Sequence, residues 1–183
     1  MDVKDILLLG QHNLENVLAA VSISLLAGID KSIIKQEVMN FRGVEHRLEL
    51  VRTYNDVNYI NDSKATNPDS SIKALEAMNT PVILIAGGMD KQSDYSSFID
   101  SCIPKVKHLI LLGETKDVIE KTAISKGLVS ITKVEDMKQA VDVAFLKAKE
   151  GDTVLLSPAC ASWDMYESFE HRGKDFKNCV LGL

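Results

Sequence analysis

Three short, unbroken apolar runs, PVILIAGG (81–88), HLILLGE (108–114) and TVLLSPA (153–159), fix what this chain can become. Runs of this length that are apolar at every position suit parallel strands buried on both faces, whereas a half-exposed strand would alternate. Amphipathic segments lie between them. One helix is expected from Asn67 to about Asn79, with Asn67 as N-cap and Pro68 in the first turn. Another should run from a Ser93 cap to just before Pro104, and a third from Thr115 to Gly127. A weak strand at 130–133 precedes a helix over 136–149, in which Met137, Ala140, Val141, Ala144, Phe145 and Ala148 form one apolar stripe. A last helix is expected over roughly 165–180. Strict alternation of strand and helix specifies an α/β fold, a Rossmann-like, mostly parallel open sheet with helices on both faces.

Upstream the pattern differs. HRLELVRTY (46–54) alternates apolar and polar residues, Asn55-Asp56 supply turn chemistry, and VNYIND (57–62) resumes an extended pattern, so a hairpin should lead into the sheet. The change of character near 43–45 divides the chain into 1–45 and 46–183. In the first part, Ile6 to Leu9 has the composition of a strand. HNLENVLAAVSISLLAGI (12–29) reads as a helix buried all round that ends at Gly28, and a second helix should follow an Asp30 cap over about 31–41. Asn13 and Asn16, three apart, share one helix face. Their spacing favours a capping role for Asn13 and leaves Asn16 less easily explained.

Function should gather where the strands end, because open α/β sheets bind ligands outside the carboxyl ends of their strands. The first such turn is YINDSKATNP (59–68), with Asp62, Ser63, Lys64 and Thr66 in quick succession; a well-capped βα turn without function is the ordinary alternative. The second is GGMDK (87–91), whose glycines permit positive φ or close backbone approach, and the last is SPACAS (157–162), whose small residues could offer N–H groups to an anion. Cys160 reads as a packed small residue, since no histidine lies near it in sequence. The net charge of −5 on 183 residues argues against a nucleic-acid surface. The three cysteines and four histidines show no metal-ligand spacing, so no metal site is expected among them, and reduced thiols point to a cytoplasmic protein. The longest apolar run, 17–29, is shorter than the ~20 residues a spanning helix needs, so no membrane segment is expected.

Taken in order, HNLENVLAA, GVEHRLE, YINDSKATNP, the GGMDK turn and LLSPACASWDMYESFEHRGKDF resemble the C-terminal part of the D-glutamate-adding Mur ligases over nearly the whole chain. NDSKATNP discriminates best, since sister ligases and folylpolyglutamate synthases commonly carry a DxAHNP form at that turn. The resemblance implies ATP-dependent joining of D-glutamate to UDP-N-acetylmuramoyl-L-alanine through an acyl phosphate, in peptidoglycan synthesis and hence cell-wall growth, shape and division. It places Asn13, Asn16, Arg47, Asp62 and Lys64 at the nucleotide, His46 and Lys64 at the catalytic centre, and Thr66, Lys91, Ser162 and Phe169 at D-glutamate. It implies small-molecule partners only, with no nucleic acid and no membrane, and a monomer. It assigns residues 1–45 to the end of a central ATP-binding domain and 46–183 to the C-terminal ligand-binding domain. No GxxxxGK[ST] loop is present, so ATP and Mg2+ would depend on a part outside this sequence, which would be a fragment inactive alone. His171 departs from the glutamine usual there, and Trp163, beside Ser162, reads slightly better as packing than as a pocket wall. Two rivals are another Mur ligase or folylpolyglutamate synthase, disfavoured by DSKAT, and a non-catalytic Rossmann-like binding module. A receiver-like module would need an acidic cluster, and Asp62 stands alone.

Overall fold

The structure is a computed structural model that describes residues 2–8 and 10–183, with the side chains of Lys4 and His12 outside that description. It forms two compact units, residues 1–45 and 46–183. In the first, a single 3-10 turn at Val3–Asp5 precedes helices α1 (Gln11–Leu26) and α2 (Lys31–Asn40). The strand expected at 6–9 does not form: residues 6–8 have no regular structure, and Leu9 lies outside the described residues. An apolar run becomes a strand only beside another strand, and this unit has none among its described residues. The Asp30 cap is present, its carboxylate accepting the Ser32 N–H at 2.7 Å. Asn13 is not a cap, because α1 begins two residues earlier and Gly10 occupies the N-cap position. Nor is α1 buried all round, since Leu18, Ile23 and Leu26 are exposed and Val17 is the apolar residue it buries. The sequence shows that such a helix needs covering but not what covers it.

The second unit opens with β1 (Glu49–Tyr54) and β2 (Val57–Asn61), paired antiparallel. Asn55 and Asp56 both take positive φ, 49° and 59°, the two-residue turn whose twist matches that of a hairpin. There follow α3 (Pro68–Glu76), β3 (Val82–Ala86), α4 (Ser96–Cys102), β4 (Val106–Leu111), α5 (Lys116–Ser125), β5 (Ile131–Lys133), α6 (Met137–Lys147), β6 (Thr153–Leu156) and α7 (Phe169–Leu181). The strands form a six-stranded sheet in the order β1-β2-β6-β3-β4-β5, parallel from β2 onward. Strand alternation divides the core. Ile60, Leu84, Leu109 and Leu155 face α3, α4 and α5, while Tyr59, Ile85, Ile110 and Leu156 face α6 and α7. The C-terminal ends of β2, β6 and β3 are therefore neighbours on one rim.

Two helix starts and one helix face differ from expectation. Helix α4 starts at Ser96, two residues later than a Ser93 cap would set it, and Asp94 accepts the Ser96 N–H at 2.8 Å. Helix α7 starts at Phe169 behind a Ser168 cap that accepts the His171 N–H at 3.2 Å. The residues before it turn tightly, with Ser162 O taking N–H groups from Met165 and Tyr166. In α6 the inner stripe is Met137, Ala140, Val141 and Ala144, and Phe145 is left 39% exposed, stacked against Tyr54.

The β1–β2 turn yields a test. Replacing Asp56, at φ 59°, with glycine removes left-handed strain and should stabilise the chain by about 0.5–1 kcal/mol in chemical denaturation. A loss of stability would show that the Asp56 side chain, not its backbone geometry, holds the hairpin.

Candidate functional site

The rim is built first of backbone. Beyond the strands the ladder continues: Asp62 N–H donates to Leu156 O at 2.8 Å, Gly87 N–H to Pro158 O at 2.9 Å and Met89 N–H to Ala161 O at 3.0 Å. The turns after β2, β3 and β6 are thus stitched in sequence across the sheet. Gly87 and Gly88 have φ of 109° and 147°, and a Cβ would lie 2.1 Å from Leu112 O at the first and 2.3 Å from Ala161 O at the second. Both glycines are required by neighbouring protein backbone.

Arg172 then locks two of these turns to α7. Its side chain is buried, 2% exposed, and donates through Nε to Ser63 Oγ (3.0 Å), through Nη2 to Ser63 O (2.8 Å) and through Nη1 to Cys160 O (3.0 Å) and Ala161 O (3.2 Å). Ser63 Oγ in turn donates to Phe169 O at 2.8 Å. Burial pulls the Arg172 pKa down to about 10, which leaves the guanidinium charged at neutral pH. Reasoning from sequence missed this residue. A signal was available: 172, 173, 176 and 180 make the inward stripe of α7, and an arginine on such a stripe must be satisfied inside the protein.

On that frame the expected site residues take distinct positions. Lys64 is exposed, with Nζ 5.0 Å from the centroid of the Phe169 ring. Phe169 meets the His46 ring edge-on at 6.2 Å, and Lys64 N–H donates to His46 O at 3.0 Å, so Lys64, His46 and Phe169 form one group. Thr66 is partly buried in the same turn, its N–H on Lys64 O at 2.9 Å. Lys91 is exposed and holds Nζ 5.2 Å above the ring of Trp163, which is 65% exposed rather than packed. Ser162, next to Trp163, is buried at the end of the β6 turn. Arg47 is exposed beside His46. His171 is exposed and lies edge-on to Tyr166 at 5.4 Å. Asn13, buried, and Asn16, exposed, stand on α1 in the other unit, and the His12 side chain lies outside the described residues. Cys160 packs its sulfur against the Tyr95 hydroxyl (3.2 Å) and Thr115 Oγ1 (3.3 Å), and burial raises its thiol pKa, the reverse of nucleophile activation.

Asp62 is 5% exposed. Ser157 Oγ donates to its Oδ2 at 2.8 Å and Leu48 N–H to its Oδ1 at 3.2 Å, and the Ser157 and Ser71 hydroxyl oxygens are hydrogen-bonded to each other at 2.9 Å. Burial outweighs these bonds and lifts the carboxyl pKa from 3.8 to about 7. The turns after β2, β3 and β6 thus carry the cations Lys64 and Lys91 and the hydroxyls of Thr66 and Ser162, with the carboxylates of Asp90, Glu114 and Asp164 beside the β3 turn.

Two outcomes follow from these contacts. Because the folded chain keeps the Asp62 proton up to about pH 7 while the unfolded chain releases it near pH 4, this group favours folding at low pH. That contribution is lost progressively as pH rises from about 4 to about 7, on the order of 4 kcal/mol in all. In Asp62→Asn, which imitates the protonated acid, denaturation midpoints should lose that part of their decline between about pH 4 and pH 7; an unchanged slope would remove Asp62 as its source. Arg172→Lys cannot reproduce bonds to two turns at once, and should cost about 3 kcal/mol by the same measurement. A midpoint within experimental error of wild type would show the lacing to be dispensable.

Comparison with known proteins agrees with this architecture. A family model described as "Mur ligase, glutamate ligase domain" matches residues 46–160. UDP-N-acetylmuramoylalanine--D-glutamate ligase of Alkaliphilus oremlandii is 52% identical over 98% of this chain and 39% of its own length. The protein of the same name from Clostridioides difficile is 54% identical over 98% of this chain and 40% of its own. The crystal structure of UDP-N-acetylmuramate-alanine ligase from Thermotoga maritima superposes with a TM-score of 0.73 at 17% identity, covering 97% of this chain and 39% of that one, and so shares the fold. The chain spans about two fifths of the length of the relatives it matches. A chain whose 46–160 segment matches that model, on a sheet of this topology, belongs to the Mur ligase family.

Proposed function

We propose that this chain serves, within a longer protein, the ATP-dependent ligation of D-glutamate to UDP-N-acetylmuramoyl-L-alanine, a step of peptidoglycan synthesis. The observation that carries the reading is the convergence of Lys64, Thr66, Lys91 and Ser162 on turns after three adjacent strands, at a rim held rigid by the buried Arg172. The names of the relatives at 52% and 54% identity support the choice of D-glutamate over the other amino acids that sister ligases add.

The chemistry begins when an oxygen of the L-alanyl carboxylate attacks the γ-phosphorus of ATP, expelling ADP and forming an acyl phosphate. The D-glutamate amine then attacks the acyl carbon. The tetrahedral intermediate collapses with loss of inorganic phosphate, and the amine gives up its proton as the amide forms. Little of this requires covalent participation by the protein; it requires charge neutralisation and placement of amine against carbon. Lys64, exposed above Phe169 and joined to His46, is suited to stabilise the transferring phosphoryl group. Arg47 offers a second cation to phosphate. D-Glutamate brings two carboxylates, for which Lys91 supplies charge and Thr66 and Ser162 hydroxyls, with Phe169 as an apolar wall. Asp62 keeps a second lone pair on each oxygen, so a ribose contact would add to its internal bonds. Asn13 and Asn16, on a helix we assign with residues 1–45 to the central ATP-binding domain, would meet the base. ATP hydrolysis would require the rest of the protein, which would also supply the magnesium ligands, and the fragment would be inactive alone. The protein would work in the cytoplasm as a monomer.

In the complete enzyme, Lys64→Ala should lower kcat by at least about 100-fold, since a cation at a developing charge is a large term. Wild-type turnover would remove Lys64 from the mechanism. Lys91→Ala and Ser162→Ala should each raise the KM for D-glutamate about tenfold or more and leave that for ATP within about twofold. The opposite ranking in steady-state kinetics would refute the division of roles between the turns.

A further inference from the structure

His46 is held by contacts that decide which of its ring nitrogens carries the proton. The residue that decides it is Asn61, the last of β2, fully buried. Asn61 Oδ1 accepts the Ser63 N–H at 3.1 Å, which fixes the amide's orientation and leaves Nδ2 facing the other way. Nδ2 then meets three acceptors: His46 Nδ1 at 2.9 Å, Glu49 Oε2 at 3.2 Å and Gly173 O at 3.4 Å. Rotating the amide would set its oxygen against a carboxylate and a carbonyl and its NH2 against the Ser63 N–H, so the observed orientation is the one that faces donors to acceptors, with two N–H groups shared among three of them. An NH2 group can only donate. His46 Nδ1 is the nearest of the three acceptors, and a proton on it would point at the amide N–H groups, so the contact favours an accepting Nδ1 and a proton on Nε2.

The ring is fixed as firmly as the amide. A Cβ on Gly173 would lie 2.3 Å from His46 Nδ1, so α7 can pass the imidazole only because that position is glycine. His46 itself takes φ 65°, and its N–H donates to Glu49 Oε2 at 3.0 Å. Lys177 Nζ, 2.5 Å from Glu49 Oε1, holds that carboxylate in place. Glu49 Oε2 is also 4.0 Å from His46 Nδ1, close enough to favour a proton there were Asn61 not occupying the position.

We infer that Asn61 is a positioning residue, with Glu49 and Lys177 behind it, that holds His46 as the neutral Nε2–H tautomer. The imidazole then offers oxygen acceptors such as phosphoryl or carboxylate groups an N–H, and it has no unprotonated Nε2 with which to serve as a general base. The tautomer itself follows from contacts inside residues 46–183; only its effect on turnover rests on the ligase reading.

The test uses 15N-labelled chain and long-range 1H–15N correlation of the imidazoles near neutral pH. His46 should show an unprotonated Nδ1 and a protonated Nε2. In Asn61→Asp the carboxylate replaces the NH2 as partner, and the pattern should invert, with Nδ1 protonated and the backbone spectrum otherwise retained. A wild-type ring protonated at Nδ1, alone or together with Nε2, overturns the inference whatever the variant does. In the complete enzyme the same substitution should reduce kcat by roughly 10-fold or more, as a wrongly protonated histidine does elsewhere. Unchanged kcat with an inverted ring would overturn the functional part. Neither result bears on Lys64→Ala, by which the ligase reading stands or falls.

Discussion

A buried guanidinium with no carboxylate partner among its hydrogen bonds organises the working end of this sheet. Arg172 spends its donors on three carbonyls and one hydroxyl, drawn from the turn after β2 and the turn after β6. Removing such a cation from water costs several kcal/mol unless every donor is satisfied, so the acceptors cannot drift without exposing the whole cost. The two turns therefore have a common fixed point, supplied by a helix that enters the sequence only after both strands are complete. Positions of Ser63 and Ala161 are tied to one planar group, and Lys64 and Ser162 follow them in the chain.

The glycines of the β3 turn serve the same end by a different means. Arg172 pulls the β6 turn toward α7, and Met89 pairs with Ala161 from the other side. Between them Gly88 would place a Cβ 2.3 Å from Ala161 O and 3.2 Å from Arg172 Nη1. A side chain there would push the third turn away from the other two. Lys91 reaches the rim because the backbone before it is allowed to lie flat against its neighbour.

How much of this was legible in the sequence varied with the range of the interaction. Most local signals held: the continuous apolar runs became buried parallel strands, Asn55-Asp56 became the hairpin turn, and Asn67 and Asp30 became caps, while the caps expected at Asn13 and Ser93 did not form. Signals that depend on a distant partner did not. Residues 6–8 are as apolar as β3, yet an isolated strand has no ladder to join. Helix α1 advertises burial on every side, but periodicity names no partner. Trp163 beside Ser162 looked like packing, and it lies exposed beneath Lys91 because the tight turn through Ser162 O aims it outward. Arg172 was hidden for the reverse reason: an arginine in a run of charged residues reads as surface until the neighbouring inward positions are counted.

The NDSK stretch shows why adjacency in sequence misleads about chemistry. Strand alternation extends past the end of β2, so neighbours there face opposite sides of the sheet. Asn61 and Ser63 follow Tyr59 toward α7, where one meets His46 and Gly173 and the other Arg172. Asp62 follows Ile60 toward α3, into a chain of hydroxyls from Ser157 to Ser71. Lys64, beyond the last ladder bond, is the one of the four whose side chain is exposed. A stretch that looks like four reactive groups in one place is a partition instead: two polar networks on opposite faces anchor the turn, and their rigidity sets the position from which a single lysine reaches outward.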